Sequence, residues 1–405
     1  MLINLRNALM TGKRLPYDAE VEYLESSGTQ YIDTLVNADS NLSVEITMAN
    51  AGTPWTNVNP MGAILATPRC RHHLNFDSTL YTNGINYYFG NGDACHISTG
   101  YKPADGEIFT FKVDAASKTF TLGSFLGTLP NGTFDTGLSY WLFGRNGTTP
   151  PHLGSLRIYS AKLWNGTTLV RDYIPVRVGT VGYLYDRVSG KLFGNAGTGD
   201  FVIGQDVVPV EWLQSSGRQW IDTGVVPAAN DTYTVETRKN NASQDNASFG
   251  LAGCVYCFSN GFVTGNGTFW GHPAVGVGGT AGVNPLGDTN WHTIVASPTS
   301  VSVDGVALGD RTSNAQSPLS TVKLFARGNN SASGGVAKQY NGMISHVFVN
   351  RGGSDLRKFY AVRVGTDATS WEGAMMDVLT RRIYRNAGTG AFTYGNDLKY
   401  PIPSE

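Results

Sequence analysis

The residues able to do chemistry are few and scattered. Seven histidines stand at His72, His73, His96, His152, His272, His292 and His346. None has the two-His spacing of a helical metal site, and none stands beside a Ser or Cys in a nucleophile motif. The four cysteines are Cys70, Cys95, Cys254 and Cys257. Cys70 and Cys95-His96 lie near His72-His73, which invites a zinc reading. Tetrahedral zinc normally takes paired short spacings. Only Cys254-x-x-Cys257 has one, inside the strand-like LAGCVYCF, where residues three apart face opposite sides. The thiols are therefore read as core or loop residues, and no metal is expected. A retaining glycanase site would need carboxylates about 5–5.5 Å apart, as alternate strand positions provide. Asp18, Glu20 and Glu22 alternate, but they are read as a solvated edge strand. Gly276-Val277-Gly278-Gly279 lacks the Lys-Ser/Thr of a phosphate loop. No catalytic residue is assigned.

Binding residues are easier to name. Sugar rings stack on aromatic faces while Asn, Asp, Arg and His supply hydrogen bonds. NGINYYFGNGD offers Tyr87 and Tyr88, and NGTFWGH offers Trp270 and His272. Arg145 and Arg327 recur at one strand end. These six are the candidate glycan-binding residues. An aromatic strand in a sandwich serves equally as core, and a buried ion pair would equally explain the arginines. Asp33 and Asp222 sit in a repeated Ile-Asp-Thr and are read as turn-capping side chains. Calcium, which wants six or more oxygens, stays open there, and no other cofactor is expected.

Of the 405 residues, 50 are Gly; charged residues are 15% and aromatic ones 11%. Low charge, many turns and many aromatics describe a loop-rich all-β protein. Lys+Arg number 30 and Asp+Glu 31, so no basic platform for nucleic acid is expected. No apolar run approaches the roughly 20 residues of a membrane helix. MLINLRNALMTGKRLP lacks the charged region, the continuous apolar region and the cleavage site of a signal peptide.

The chain repeats itself. VEYLESSGTQYIDT at Val21–Thr34 returns as VEWLQSSGRQWIDT at Val210–Thr223, with Tyr23/Trp212 and Tyr31/Trp220 as aromatic swaps. Leu142-Phe143-Gly144-Arg145 answers Leu324-Phe325-Ala326-Arg327, and Val176-Arg177-Val178-Gly179 answers Val362-Arg363-Val364-Gly365. NAGTG closes both copies at Asn195 and Asn386, followed by Phe201 or Phe392. Two tandem domains of roughly 190 residues each follow, far longer than a solenoid unit. The expected layout is a segment at 1–16, a first domain at 17–205 and a second at 206–400. Leu42, Val44, Ile46 and Met48 alternate as in a half-buried strand, and so do Phe109, Phe111 and Val113. Tyr233 and Val235 begin the equivalent of the first of these in domain two. Val301 and Val303 run into the turn pair Asp304-Gly305. Met1–Met10 is the best helix candidate. The expected fold is two tandem jelly-roll β-sandwiches.

EYLESSGTQYIDT, LFGR, GSLRIYSAKLWNGTTLVRDYIPVRV and GYLYDRVSGKLFGNAGTGDF resemble the laminin-G-like, concanavalin-type jelly roll. More narrowly, they resemble the version found in bacteriophage structural proteins and in surface proteins of gut bacteria. The resemblance runs from about Tyr17 to about Tyr394 and speaks to fold more than to function. It implies a non-enzymatic virion protein, made in the host cytoplasm, serving in capsid decoration, a fibre or tail adhesion. Its partners would be other capsid or tail proteins and host-surface or mucus glycans, and homo-oligomers are compatible with it. Leu2, Leu5, Arg6 and Leu9 form an apolar stripe with a cation ahead of the repeat, and they are the candidate docking residues. The alternatives are a carbohydrate-active enzyme, against which the missing carboxylate run counts, and a secreted bacterial carbohydrate-binding adhesin.

Overall fold

Alternating apolar residues pull the chain into sheets wherever the sequence has period two. The computed structural model describes residues 15–51, 58–67, 69–76, 84–92, 95–149, 152–241, 245–251, 255–260, 268–271, 275–278, 288–297, 299–310, 317–337, 339–366 and 370–398. Among them there is no helix. The candidate helix at Met1–Met10 and its docking residues Leu2, Leu5, Arg6 and Leu9 lie outside the described residues. The chain divides into two compact units, Met1–Asp206 and Val207–Glu405. Each is an all-β sandwich of the jelly-roll class.

In the first unit Leu42–Asn50 is a central strand, paired antiparallel with Ser155–Asn165 and with Ile108–Asp114. Leu42, Val44, Ile46 and Met48 point into the core, each at most 1% exposed. Burying each such side chain is worth roughly 1.5–3 kcal/mol. Phe109, Phe111 and Val113 come from the neighbouring strand, and Leu156 and Ile158 from the other. The opposing eight-stranded sheet includes Ile32–Asp39, Val58–Leu65, Cys70–Phe76, Ile85–Asn91 and Asp135–Leu142. It contributes Met61, Leu74, Tyr87, Phe89 and Tyr140 to the same core.

The second unit repeats this plan. Asp231–Lys239 is central, between Asn341–Arg351 and Trp291–Ala296. Its burial alternates strictly, so Tyr233 and Val235 face the core while Thr234, Glu236 and Arg238 face outward. Asp304 and Gly305 take φ of +52° and +80° and close the hairpin that begins at Val303. An Asp-Gly pair suits that double left-handed turn.

The repeated sequence segments meet in space. Asn195 Oδ1 accepts from the backbone amides of Tyr31 and Gly197, and its Nδ2 donates to the Gly199 carbonyl. Asn386 does the same with Trp220, Gly388 and Gly390. The end of each repeat is thus tied to its beginning. Phe201 then packs on Phe143 at 4.8 Å, and Phe392 on Phe325 at 4.8 Å. Phe143 and Phe325 both hold positive φ, +65° and +59°, a rare state for a bulky residue. Their complete burial holds them there.

One sequence expectation fails in the first unit. Of the three alternating carboxylates only Asp18 is exposed, and the other two do not lie on a solvated edge. Ala19–Val21 pairs with Thr168–Val178, and Glu20 and Glu22 are each only 8% exposed. Backbone pairing, which a charge pattern does not reveal, brought them in.

Candidate functional site

The strand Ile85–Asn91 separates the two tyrosines of the first candidate stretch. Tyr87 points into the core and is 0% exposed, against Phe111 at 5.1 Å and Phe120 at 5.5 Å. Burial pushes its hydroxyl pKa well above the ordinary value. No sugar can reach it, and it leaves the candidate list as a core residue. Tyr88 faces the other side of the sheet. The His73 ring stacks on it at 4.7 Å, and the Arg71 guanidinium carbon lies 4.9 Å from its centroid. At 6% exposure its ring is taken up by the protein itself.

Arg145 joins this cluster, with Nη1 3.4 Å from Nε2 of His73. Burial, then the Arg71 charge, brings Arg145 down to about 10. Burial, then Arg145 and Arg71, drives His73 well below the ordinary histidine value, so it stays neutral. Two cations and a neutral imidazole around an aromatic ring make a polar brace. Strand alternation sends the adjacent His72 into the core, where burial lowers it to about 3. The His72-His73 pair therefore cannot chelate one ion. Cys70 donates to Asn91 Oδ1 at 2.9 Å and Cys95 to the Gly92 carbonyl at 3.1 Å.

In the second unit the backbone of Trp270 pairs with that of Tyr256, while its side chain and all of His272 lie outside the described residues, as does Cys254. Arg327 begins the short strand Arg327–Gly328, after Phe325 and Ala326, just as Arg145 follows Phe143 and Gly144. The two arginines hold the same place in the repeat. Asp33 accepts from the Leu35 amide at 2.9 Å and Asp222 from the Gly224 amide at 3.0 Å, the turn geometry their spacing suggested. Lys323 and Thr321 also bond Asp222.

An open depression of about 380 Å³ lies on the outer face of the second unit's main sheet, lined by Glu211, Trp212, Glu236, Trp291 and Ser345. Glu236 is outward by alternation, opposite Thr293 on one side and His346 on the other. Trp291 opens the next strand, opposite Arg238. Glu211 and Trp212 enter just ahead of Leu213–Ser216, which pairs with Asn341–Arg351. Glu236 Oε2 sits 3.1 Å from His346 Nδ1. That hydrogen bond outweighs burial and holds the carboxyl below its ordinary value. Glu211 Oε2 accepts from both the backbone and side-chain amides of Asn396, each at 3.1 Å. His346 stacks on Phe348 at 4.6 Å. The acceptors are therefore fixed before any ligand arrives, which lowers the ordering cost of binding. Two half-buried indoles and two held carboxylates suit a ligand with an apolar face and hydrogen-bond donors.

None of these five residues was a sequence candidate. The readable signal was the exchange between aligned repeats, where Ser345 stands for Tyr159.

No protein-family profile matches the sequence, and no curated protein does. Among solved structures the chain is similar to domains LG4-5 of the mouse laminin alpha1 chain, at 13% identity, over 85% of this chain and 93% of that one, with a TM-score of 0.28. The architecture rests on the strands and registers themselves.

Proposed function

We propose that the chain is a non-enzymatic bacteriophage virion protein, a capsid decoration, fibre or tail-adhesion component that displays two sandwich units and binds host-surface or mucus glycans. The observation that carries the binding part is the aromatic depression with its two prepositioned carboxylates. The virion part is supported by the resemblance of the repeated segments, by their tandem arrangement and by a net charge of -1. In this reading the protein is made in the host cytoplasm, and Leu2, Leu5, Arg6 and Leu9 dock it to a capsid or tail protein.

Two experiments test it. Deletion of Met1–Leu15 should abolish incorporation into particles, and full incorporation of the truncated chain removes the docking role. A glycan array should return hits with the intact chain, and a blank array removes the glycan role.

Glu211 and Glu236 in one aromatic-lined depression favour the carbohydrate-active enzyme as second reading. Against it, a general acid for glycoside cleavage needs a raised pKa, and Glu236 is moved the other way. Reducing-sugar release by the wild type, lost in Glu236→Gln, would reverse the order of the two readings.

A further inference from the structure

We propose that the depression on the second unit is a site for a non-acidic pyranose, opened by Ser345 at a position where the first unit carries a plug. This rests on the glycan-binding reading and says where the sugar sits and which sugars fit.

The two units share a bulge. In the first, Thr47 lies opposite Ser160 and Met48 opposite Ile158, so Tyr159 is the extra residue. In the second, Glu236 lies opposite His346 and Thr237 opposite Ile344, so Ser345 is the extra residue. A bulge re-aims the side chain it carries. Tyr159 is 3% exposed, and its ring meets Tyr23 edge-on at 5.6 Å. Arg157, bonded to Glu25 at 2.6 Å, lies over the Tyr23 ring at 4.6 Å. That surface is closed. In the second unit a serine takes the place of Tyr159, and Met343 that of Arg157.

The remaining exchanges all point the same way. Trp212 stands where the first unit has Tyr23. By register, Glu236 stands where it has Thr47, and Trp291 where it has Ile108. Plug removal exposes a floor that has gained an indole wall and an ionised acceptor. Indole faces take the C–H face of a pyranose. Carboxylates accept charge-assisted hydrogen bonds from its hydroxyls. The same carboxylates repel a ligand carboxylate, sulfate or phosphate. The volume, about 380 Å³, falls in the roughly 300–1,000 Å³ range of ligand sites.

The test uses the full chain. Binding of methyl glucoside, mannoside and galactoside and of neutral oligosaccharides is compared with sialylated, glucuronylated and sulfated sugars, with choline as a non-sugar cation. The variants are Ser345→Tyr, Trp291→Ala and the control Leu126→Ala, an exposed residue of the first unit, each checked for an unchanged melting temperature. Neutral sugars should bind the wild type and Leu126→Ala alike, and Ser345→Tyr and Trp291→Ala at least about tenfold more weakly, with acidic sugars unbound. Wild-type affinity in folded Ser345→Tyr, preference for acidic sugars, or choline binding that no sugar displaces would overturn the proposal. Glycan binding that survives both substitutions removes this site and leaves the glycan-binding reading standing. A wild type that binds no glycan removes both.

Discussion

Arg351 grips the buried carboxylate of Asp231 with both arms of its guanidinium, Nε to Oδ1 at 2.7 Å and Nη2 to Oδ2 at 2.9 Å. The Asp231 side chain is 0% exposed and also accepts from the Tyr233 hydroxyl and the Ala228 amide. Removing the cation leaves a buried charge only partly compensated. Breaking a fully buried pair costs about 3–5 kcal/mol, and the partial exposure of Arg351 brings the expected loss for Arg351→Ala to about 2–3 kcal/mol. Urea unfolding of the second unit measures it, and an unchanged midpoint contradicts the assignment.

His292 is bridged by two carboxylates, Nδ1 to Asp304 at 2.7 Å and Nε2 to Asp288 at 2.8 Å. Burial opposes its charging, but the hydrogen bonds and charges of Asp304 and Asp288 win and raise its pKa above 6.5. A raised folded pKa gives stability that is complete below the unfolded value and is lost as pH climbs through the folded one. The melting temperature of the second unit should therefore fall over the pH window that opens above about 6.5. Asp288 is drawn down to about 2, first by the Asn290 amide and then by His292, so it stays ionised throughout this window. His292→Gln should flatten the slope.

Gly388 sits where a Cβ would press on the carbonyl oxygen of Arg218. Gly388→Ala must push apart the two ends of the repeat, at an expected cost above about 2 kcal/mol. Gly224, at φ +67° with open space around it, is the control. There alanine meets only backbone strain, about 1 kcal/mol. Equal melting temperatures for the two variants would remove the steric account.

Tyr88 separates a structural role from a binding one. Truncation to alanine takes away the ring on which His73 stacks and should cost the first unit about 3 kcal/mol. Glycan binding should persist at a temperature where the variant is folded. Loss of glycan binding by folded Tyr88→Ala would return the site to the first unit.

The core was readable because Leu42, Val44, Ile46 and Met48 keep strict period two, and one face of that strand is apolar. Asp33 and Asp222 were readable because an Asx turn is local, spanning two residues. The tyrosine pair was not, since five consecutive residues from Ile85 to Phe89 are buried and alternation alone cannot say which face meets solvent. The depression was invisible for a different reason. Its lining comes from four segments far apart in sequence, and a bulge takes Ser345 out of the alternation that places its neighbours.

The asparagine ties at Asn195 and Asn386 also set a schedule. They reach back 164 residues to Tyr31 and 166 to Trp220. A ribosome adds residues at about 5–20 per second, so the first strand of each unit waits on the order of ten seconds for its final partner. During that wait Leu24 and Ile32, or Leu213 and Ile221, lack their closing segment. A nascent chain stalled short of Asn195 or Asn386 would carry those strands uncovered, which makes the last stretch of each unit the step that protects it from aggregation.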